Sequence, residues 1–272
     1  MTIVPPGATS RTRRRPRMRR VLVAALVCAL SIPVVALAAA LDRDALWKVV
    51  HRLCVPNKTH FQLPLPCSVV DLQNGEERGW AILNFFVGRT QFLVVPTRRI
   101  TGIEDPLVGS EALPNYWQAA WAARDLVARN LGKTALPRDD IGMAINGAGK
   151  RGQDQLHIHV DCIRADVRMA LNRRISEIGD KWGDFRLLGH RYRARRVFGE
   201  EPKPDPFQLL AEDKQSSPLR DNSLAVFGAS SSSGKPGFIV LAERAPNGKA
   251  RAEDLLDHSC AVAEQAAKSE RS

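Results

Sequence analysis

Residues 155–163 read QLHIHVDCI, and the reading of this stretch decides how the chain folds and what it can do. Side chains at i, i+2 and i+4 of a β-strand point to one face. Extended, the segment sets His157, His159 and Asp161 in a row and turns Leu156, Ile158 and Val160 the other way. Those apolar alternates predict a strand with one face on a core. Just upstream, IGMAINGAGKRGQD begins as a strand and passes into a glycine-rich turn. Two imidazoles and a carboxylate in a row suit a metal site, nucleophilic attack on phosphorus, or a polar strand without chemistry.

The metal reading is a zinc-dependent HxHxD hydrolase. It needs further ligands, and only His190 and His258 lie downstream, neither in a ligand motif. In the nucleophile reading, a neutral imidazole attacks a phosphoryl centre and splits one hard displacement into two easier ones. A neighbour must then keep its other nitrogen protonated. The turn NGAGKRGQ suits this chemistry, because exposed backbone N–H groups bind phosphate oxygens. Lys150 and Arg151 add positive charge.

Working outward, the chain has 272 residues, 44% of them hydrophobic, enough for one large domain or two small ones. Of the net charge of +11, seven positive charges are arginines in residues 11–20, leaving +4 on the rest. A nucleic-acid-binding protein would carry its excess on the folded part, so no nucleic-acid partner is expected. Residues 21–41, VLVAALVCALSIPVVALAAAL, are uncharged and long enough to span a bilayer. The arginines before them stay cytoplasmic under the positive-inside rule. The expected organisation is therefore a basic tail (1–20), a transmembrane anchor (21–41) and an exported part (42–272). A cleaved signal peptide is the rival reading, with Ala36-Leu37-Ala38 as a small-residue cleavage site.

Outside the apolar run, which holds Cys28, four cysteines form an even set suited to an oxidising compartment. Three pairings of Cys54, Cys67, Cys162 and Cys260 are possible, beside four buried thiols. Cys54–Cys67 closes the Pro-rich loop VPNKTHFQLPLP; Cys162–Cys260 would then tie the central strand to the C-terminal segment. Along the rest of the chain, DRDALWKVVHRLC reads as a short amphipathic helix and residues 79–96 as a hairpin. Residues 111–131 and 164–182 read as helices, 223–243 as a second hairpin, and 252–268 as a last helix. RLLGHRYRARRVF is basic, and EEPKPDPF reads as a linker. The fold class is α+β with a mainly antiparallel sheet.

The run NGAGKRGQDQLHIHVD resembles the histidine-triad (HIT) superfamily of nucleotide hydrolases and transferases. That pattern runs from an asparagine through a glycine-rich loop and Gly-Gln to His-φ-His-φ-His. Here it maps to Asn146, Gly152-Gln153, His157 and His159, with Asp161 in place of the third histidine. FLVVPTRRI and the helix at 111–131 match the superfamily in order, and this likeness covers about residues 79–165. Within that superfamily the chain looks most like the CDP-diacylglycerol pyrophosphatase family. LWKVVHRLCVPN, PTRRITGIEDPL and QLHIHVDCIRADVR carry that likeness, which spans about residues 45–262.

The resemblance implies a HIT-like antiparallel core (about 79–165) with packed helices and a C-terminal α/β extension (166–272), behind an N-terminal transmembrane helix. It implies hydrolysis of CDP-diacylglycerol to CMP and phosphatidate, with no cofactor or metal. His159 is the implied nucleophile and His157 its catalytic neighbour. Asn146, Gly152, Gln153, Asp154 and Asp161 are the implied substrate-binding positions. Implied partners are the lipid substrate and the bilayer of a bacterial inner (plasma) membrane, with the catalytic domain on the periplasmic side. Tethering the domain there raises its effective concentration toward a lipid, and Arg98, Arg99, Arg191, Arg193, Arg195 and Arg196 are available to anionic headgroups. A non-catalytic nucleotide-lipid binding protein is the alternative of a different class. Oligomeric state stays open.

Overall fold

The β-branched and aromatic runs of the sequence pair into one ten-stranded antiparallel sheet. Its strands are β1 (Val69–Asp71), β2 (Trp80–Asn84), β3 (Phe92–Pro96), β4 (Ile141–Ile145), β5 (Ile158–Ile163), β6 (Gly183–Leu187), β7 (His190–Phe198), β8 (Asn222–Ser230), β9 (Pro236–Arg244) and β10 (Leu256–Asp257). The order across the sheet is β1-β2-β3-β5-β4-β8-β9-β7-β6, with β10 added to β5. This computed structural model describes residues 1, 42–84, 88–231 and 233–263. The expected anchor at 21–41 and nearly all of the basic tail lie outside the described residues, as does the chain past 263. No helix among the described residues is long and apolar enough to cross a membrane. The described residues from Asp44 onward cluster as one compact unit, and the extension adds β6 to β9 to the same sheet as the core.

The sheet's two faces are covered differently. On one face Ile158, Val160 and Cys162 of β5 join Phe92, Val94, Met143 and Val226 in the main core. Helices α3 (Tyr116–Ala122), α4 (Arg124–Asn130) and α6 (Pro206–Glu212) close this layer with Trp117, Trp121, Val127 and Phe207. The helix expected from 111 starts at Tyr116, because Asn115 caps it by accepting from the Trp117 N–H at 3.0 Å. Such a cap contributes about 1 kcal/mol.

The opposite face carries two smaller clusters with a gap between them. Toward β1, the segment made of α1 (Ala45–Val49), a π turn (Val50–Cys54) and α2 (Val55–Phe61) buries Leu46, Val50 and Cys54. These pack on Ala81, Leu83, Leu93 and Val95. Toward β6, α5 (Ala165–Arg174) packs Val167 and Leu171 against Phe185, Ala225 and Leu241. The helix expected over 164–182 ends with a short 3-10 turn (Ile175–Glu177), and residues 178–182 lead into β6. The basic stretch from 186 is the β6–β7 hairpin, with Leu188 and Gly189 at positive φ in its turn.

The last segment departs most from its sequence pattern. In place of a helix from 252, a 3-10 turn (Ala252–Leu255) leads into β10, which pairs Leu256 with Ile163 and Asp257 with Cys162. β3 reaches only Val160, so β10 takes over the free edge of β5 beyond it. The Asp257 carboxylate accepts the N–H groups of Ser259 (2.9 Å) and Ala261 (2.8 Å), and Cys260 sits at φ +57°. Cys260 is joined to Cys162, and Cys54 to Cys67. Helical periodicity gives way over 252–260, where the pairing of Leu256 and Asp257 with β5 and the crosslink at Cys260 intervene, and helix begins only at residues 261–263.

Candidate active site

β5 places its polar row in the gap between the two smaller clusters. His159 stands opposite Leu93 of β3 and Ala144 of β4, so it has strands on both sides. His157, one residue before β5, is 7% exposed, His159 5% and Asp161 not at all. The two imidazole rings lie 5.0 Å apart at 65°. Gln155 locks the strand's entrance: its amide donates to the carbonyls of Pro96 (3.0 Å) and Arg98 (2.8 Å).

One neighbour faces the Nδ1 of His157 and two face that of His159. His157 Nδ1 lies 2.6 Å from the Gln155 carbonyl. A carbonyl only accepts, so the proton sits on Nδ1 and the lone pair on Nε2. His159 Nδ1 lies 3.3 Å from Glu253 Oε1 and 3.0 Å from Gln91 Nε2; the carboxylate favours a proton on Nδ1, the amide nitrogen a lone pair there. His159 Nε2 is buried, with no hydrogen-bond partner among the described residues. Burial, then the neighbouring His157, drives the pKa of His159 well below that of a free imidazole; burial does the same to His157. Both rings are neutral at pH 7, the form a nucleophile requires.

Glu253 comes from the 3-10 turn before β10 and is held from several sides. Asn146 Nδ2 donates to Glu253 Oε2 at 3.0 Å, and the Glu253 N–H donates back to Asn146 Oδ1 at 3.1 Å. Gln91 Nε2 donates to Oε1 at 3.0 Å and lies 3.0 Å from His159 Nδ1. Burial pushes the Glu253 carboxyl up, but His159, Asn146 and Gln91 outweigh it and hold it down to about 2. It is an anion at any working pH.

Asp161 turns away from the histidine pair. Its Oδ2 lies 2.8 Å from His258 Nδ1, and its Oδ1 accepts the Cys162 N–H at 2.8 Å. The hydrogen bond to Asp161 raises the His258 pKa against a smaller opposing effect of burial. Burial pushes Asp161 up, while His258, Thr90 and the Cys162 amide oppose it. The Cys162 N–H donates to Asp161 and His258 Nδ1 faces its other oxygen, so the carboxylate favours the protonated form of the imidazole. His258 Nε2 also lies 3.7 Å from Glu253 Oε1. A histidine therefore does stand beside the third position of the row, brought there by residues 256–260.

The other expected site residues distribute as follows. Asn146 is committed to Glu253. Gln153 Oε1 accepts the Leu46 N–H of α1 at 2.8 Å. Asp154 accepts from Arg151 at 3.2 Å, and Arg151 also pairs with Glu104 at 2.7 Å. Gly152 has open space where a Cβ would stand. The amides of residues 147–151 in this turn are otherwise occupied. Those of Gly147, Ala148 and Gly149 donate to the carbonyls of Ala250, Arg220 and Gly248, and those of Lys150 and Arg151 to that of Gly147. The glycines are there for packing: a Cβ on Gly149 would meet the Asn247 carbonyl oxygen at 2.2 Å. Of the arginines, Arg98 pairs with Glu77 and Arg99 with Asp44. Arg191, Arg193, Arg195 and Arg196 lie on β7, four strands from β5, or about 19 Å away. A cleft of about 590 Å³ lined by Lys150, Arg164, Tyr192 and Arg251 includes neither His157 nor His159.

Among the described residues no three His, Cys, Asp or Glu side chains converge as a metal site. The sequence pattern gave no role to Glu253 or Gln91, and offered His258 only as a downstream histidine outside any ligand motif. His258 had a signal, since it lies two residues before Cys260, whose pairing with Cys162 sets it beside Asp161. Glu253 and Gln91 had none.

Fold and site together define an α+β protein with a carboxylate-supported pair of buried, neutral histidines on a central strand. The family model for CDP-diacylglycerol pyrophosphatase matches residues 41–264. A CDP-diacylglycerol pyrophosphatase of Yersinia pestis is 36% identical over 228 residues, covering 81% of this chain and 85% of that relative. The chain belongs to the CDP-diacylglycerol pyrophosphatase family, and is a hydrolase acting on the diphosphate bond of CDP-diacylglycerol.

Proposed function

We propose that hydrolysis runs through a covalent cytidylyl-histidine on His159, as in the HIT superfamily that the Asn146 to His159 pattern resembles. The observation that carries this is the setting of His159: buried, its Nδ1 beside Glu253, its Nε2 without a hydrogen-bond partner among the described residues; in this reading Glu253 keeps the proton on Nδ1 and the lone pair on Nε2. Nε2 attacks the cytidine-side phosphorus, the bond to the bridging oxygen breaks, and phosphatidate leaves with that oxygen. Positive charge growing on the ring is stabilised by Glu253. Water then breaks the P–N bond, releasing CMP and restoring the imidazole. His157 Nε2 faces the reacting phosphate as acceptor or proton carrier, and the loop at Gly152 and Gln153 borders the nucleotide. The imidazolium of His258, between Asp161 and Glu253, supplies positive charge toward the leaving oxygen. The N-terminal apolar run tethers the domain to the inner membrane, where a diacyl substrate resides.

The test is acid-quenched turnover with CDP-diacylglycerol labelled in the cytidylyl phosphate. Wild type is expected to carry label on His159. His159→Ala is expected to lose CMP release and labelling while keeping its melting temperature. Full CMP release by His159→Ala refutes the assignment.

A further inference from the structure

Among the described residues, eight large apolar side chains are exposed, and four fall within one short stretch: Leu53 (47%), Phe61 (67%), Leu63 (55%) and Leu65 (60%). The others, Met1, Met169, Leu188 and Phe198, lie in separate parts of the chain. Single exposed apolar side chains are ordinary, whereas a cluster marks an interaction surface.

This cluster is held open by design of the local backbone. Cys54–Cys67 closes the loop at its base. Asn57 Nδ2 donates to the Leu65 carbonyl at 2.7 Å, the Leu63 N–H donates to the Asn57 carbonyl at 3.3 Å, and Gln62 ends α2 in the left-handed region. Phe61, Leu63 and Leu65 are thus fixed at the tip instead of folding back onto the core. The segment itself carries charge of one sign: residues 45–70 contain Lys48, Arg52 and Lys58 but no Asp or Glu, the one acid recorded against it being Glu76 beside His51 at 3.2 Å. Apolar tips on a basic, acid-free flank match the headgroup boundary of an anionic bilayer. In the sequence only residues 42–44 separate the apolar run from α1. The same segment buries Leu46 and Val50 against Leu93, the strand partner of His159.

We propose that the disulfide-closed loop around residues 53–65 is a membrane-docking surface that inserts Phe61, Leu63 and Leu65 into an anionic phospholipid interface. Docking holds the wall of the histidine site against the bilayer from which the lipid substrate is drawn. This last step rests on the catalytic reading above; lipid contact by the loop does not.

The experiment uses the full chain reconstituted in vesicles containing anionic phospholipid and a diazirine-tagged lipid. After illumination, the tryptic peptide of residues 59–78 is expected to carry lipid label. In parallel, Leu53→Ser/Phe61→Ser/Leu63→Ser/Leu65→Ser is assayed on vesicle-borne CDP-diacylglycerol and on a water-soluble short-chain analogue. The half-saturating surface concentration of the vesicle substrate is expected to rise about tenfold, with turnover of the soluble analogue unchanged. An unlabelled peptide, or equal loss on both substrates by Phe61→Ser alone, overturns the proposal. A wild-type chain that turns over neither substrate yet labels at 59–78 sinks the catalytic reading and leaves docking supported.

Discussion

Replacing Glu253 with Gln removes one negative charge and keeps the shape of the side chain. The carboxylate lies 3.3 Å from His159 Nδ1. At an effective dielectric near 20, a carboxylate and a unit positive charge at that distance attract by about 5 kcal/mol. With roughly half a charge on the ring as the P–N bond forms, about 2.5 kcal/mol of transition-state stabilisation is lost, or about 70-fold in rate. The ground state holds a neutral imidazole, so substrate binding is expected to change little and the loss to fall on the first step. Single-turnover quench with labelled CDP-diacylglycerol reads that step directly, and a thermal melt reports whether the segment from 252 stays seated. A first-step rate within about threefold of wild type, with an unchanged melt, would refute the role given to Glu253.

Three further outcomes follow from the same geometry. His258 has its pKa raised by Asp161, so the pair adds stability that is fully present below about pH 6.5 and is lost as pH rises through the raised value. His258→Gln is therefore expected to lower the melting temperature more at pH 6 than at pH 9; equal losses at both would count against the ion pair. Cys162–Cys260 spans a sequence separation of 98, for which loop closure alone suggests about 4–5 kcal/mol. Cys162→Ser, or reduction, is expected to depress the melting temperature and the turnover together, and retained full turnover would show that Glu253 keeps its place without the crosslink. Gly149→Ala sets a methyl against the Asn247 carbonyl and is expected to cost about 1–3 kcal/mol, read from chemical denaturation; a neutral effect would show that the 247–248 turn yields freely.

Strand periodicity alone put Leu156, Ile158 and Val160 on the core and the histidines on the other face, because alternation is a local property of extended chain. The spacing from Asn146 through Gly-Gln to His157 and His159 is equally local, so the pair was legible as chemistry before any fold was known. The disulfide partners were accessible for a related reason: few cysteines allow few pairings. Asp161 shows where this ends. Its neighbours in the sequence say nothing of its partner, which lies 97 residues away.

Only the tertiary structure decided what stands against His159. Glu253 and His258 reach β5 because β3 stops at Val160 and leaves an edge that β10 fills. An amphipathic helix pattern over 252–268 concealed this, since edge pairing and a crosslink are energies between distant segments that no local window contains. The glycine-rich turn was reinterpreted for the same reason, its amides being taken by the carbonyls of Arg220, Gly248 and Ala250 rather than left for phosphate. The sequence by itself determined that His157 and His159 share one strand face; the carboxylate beside His159, and the histidine beside Asp161, came from long-range contacts that exist only once the chain is folded.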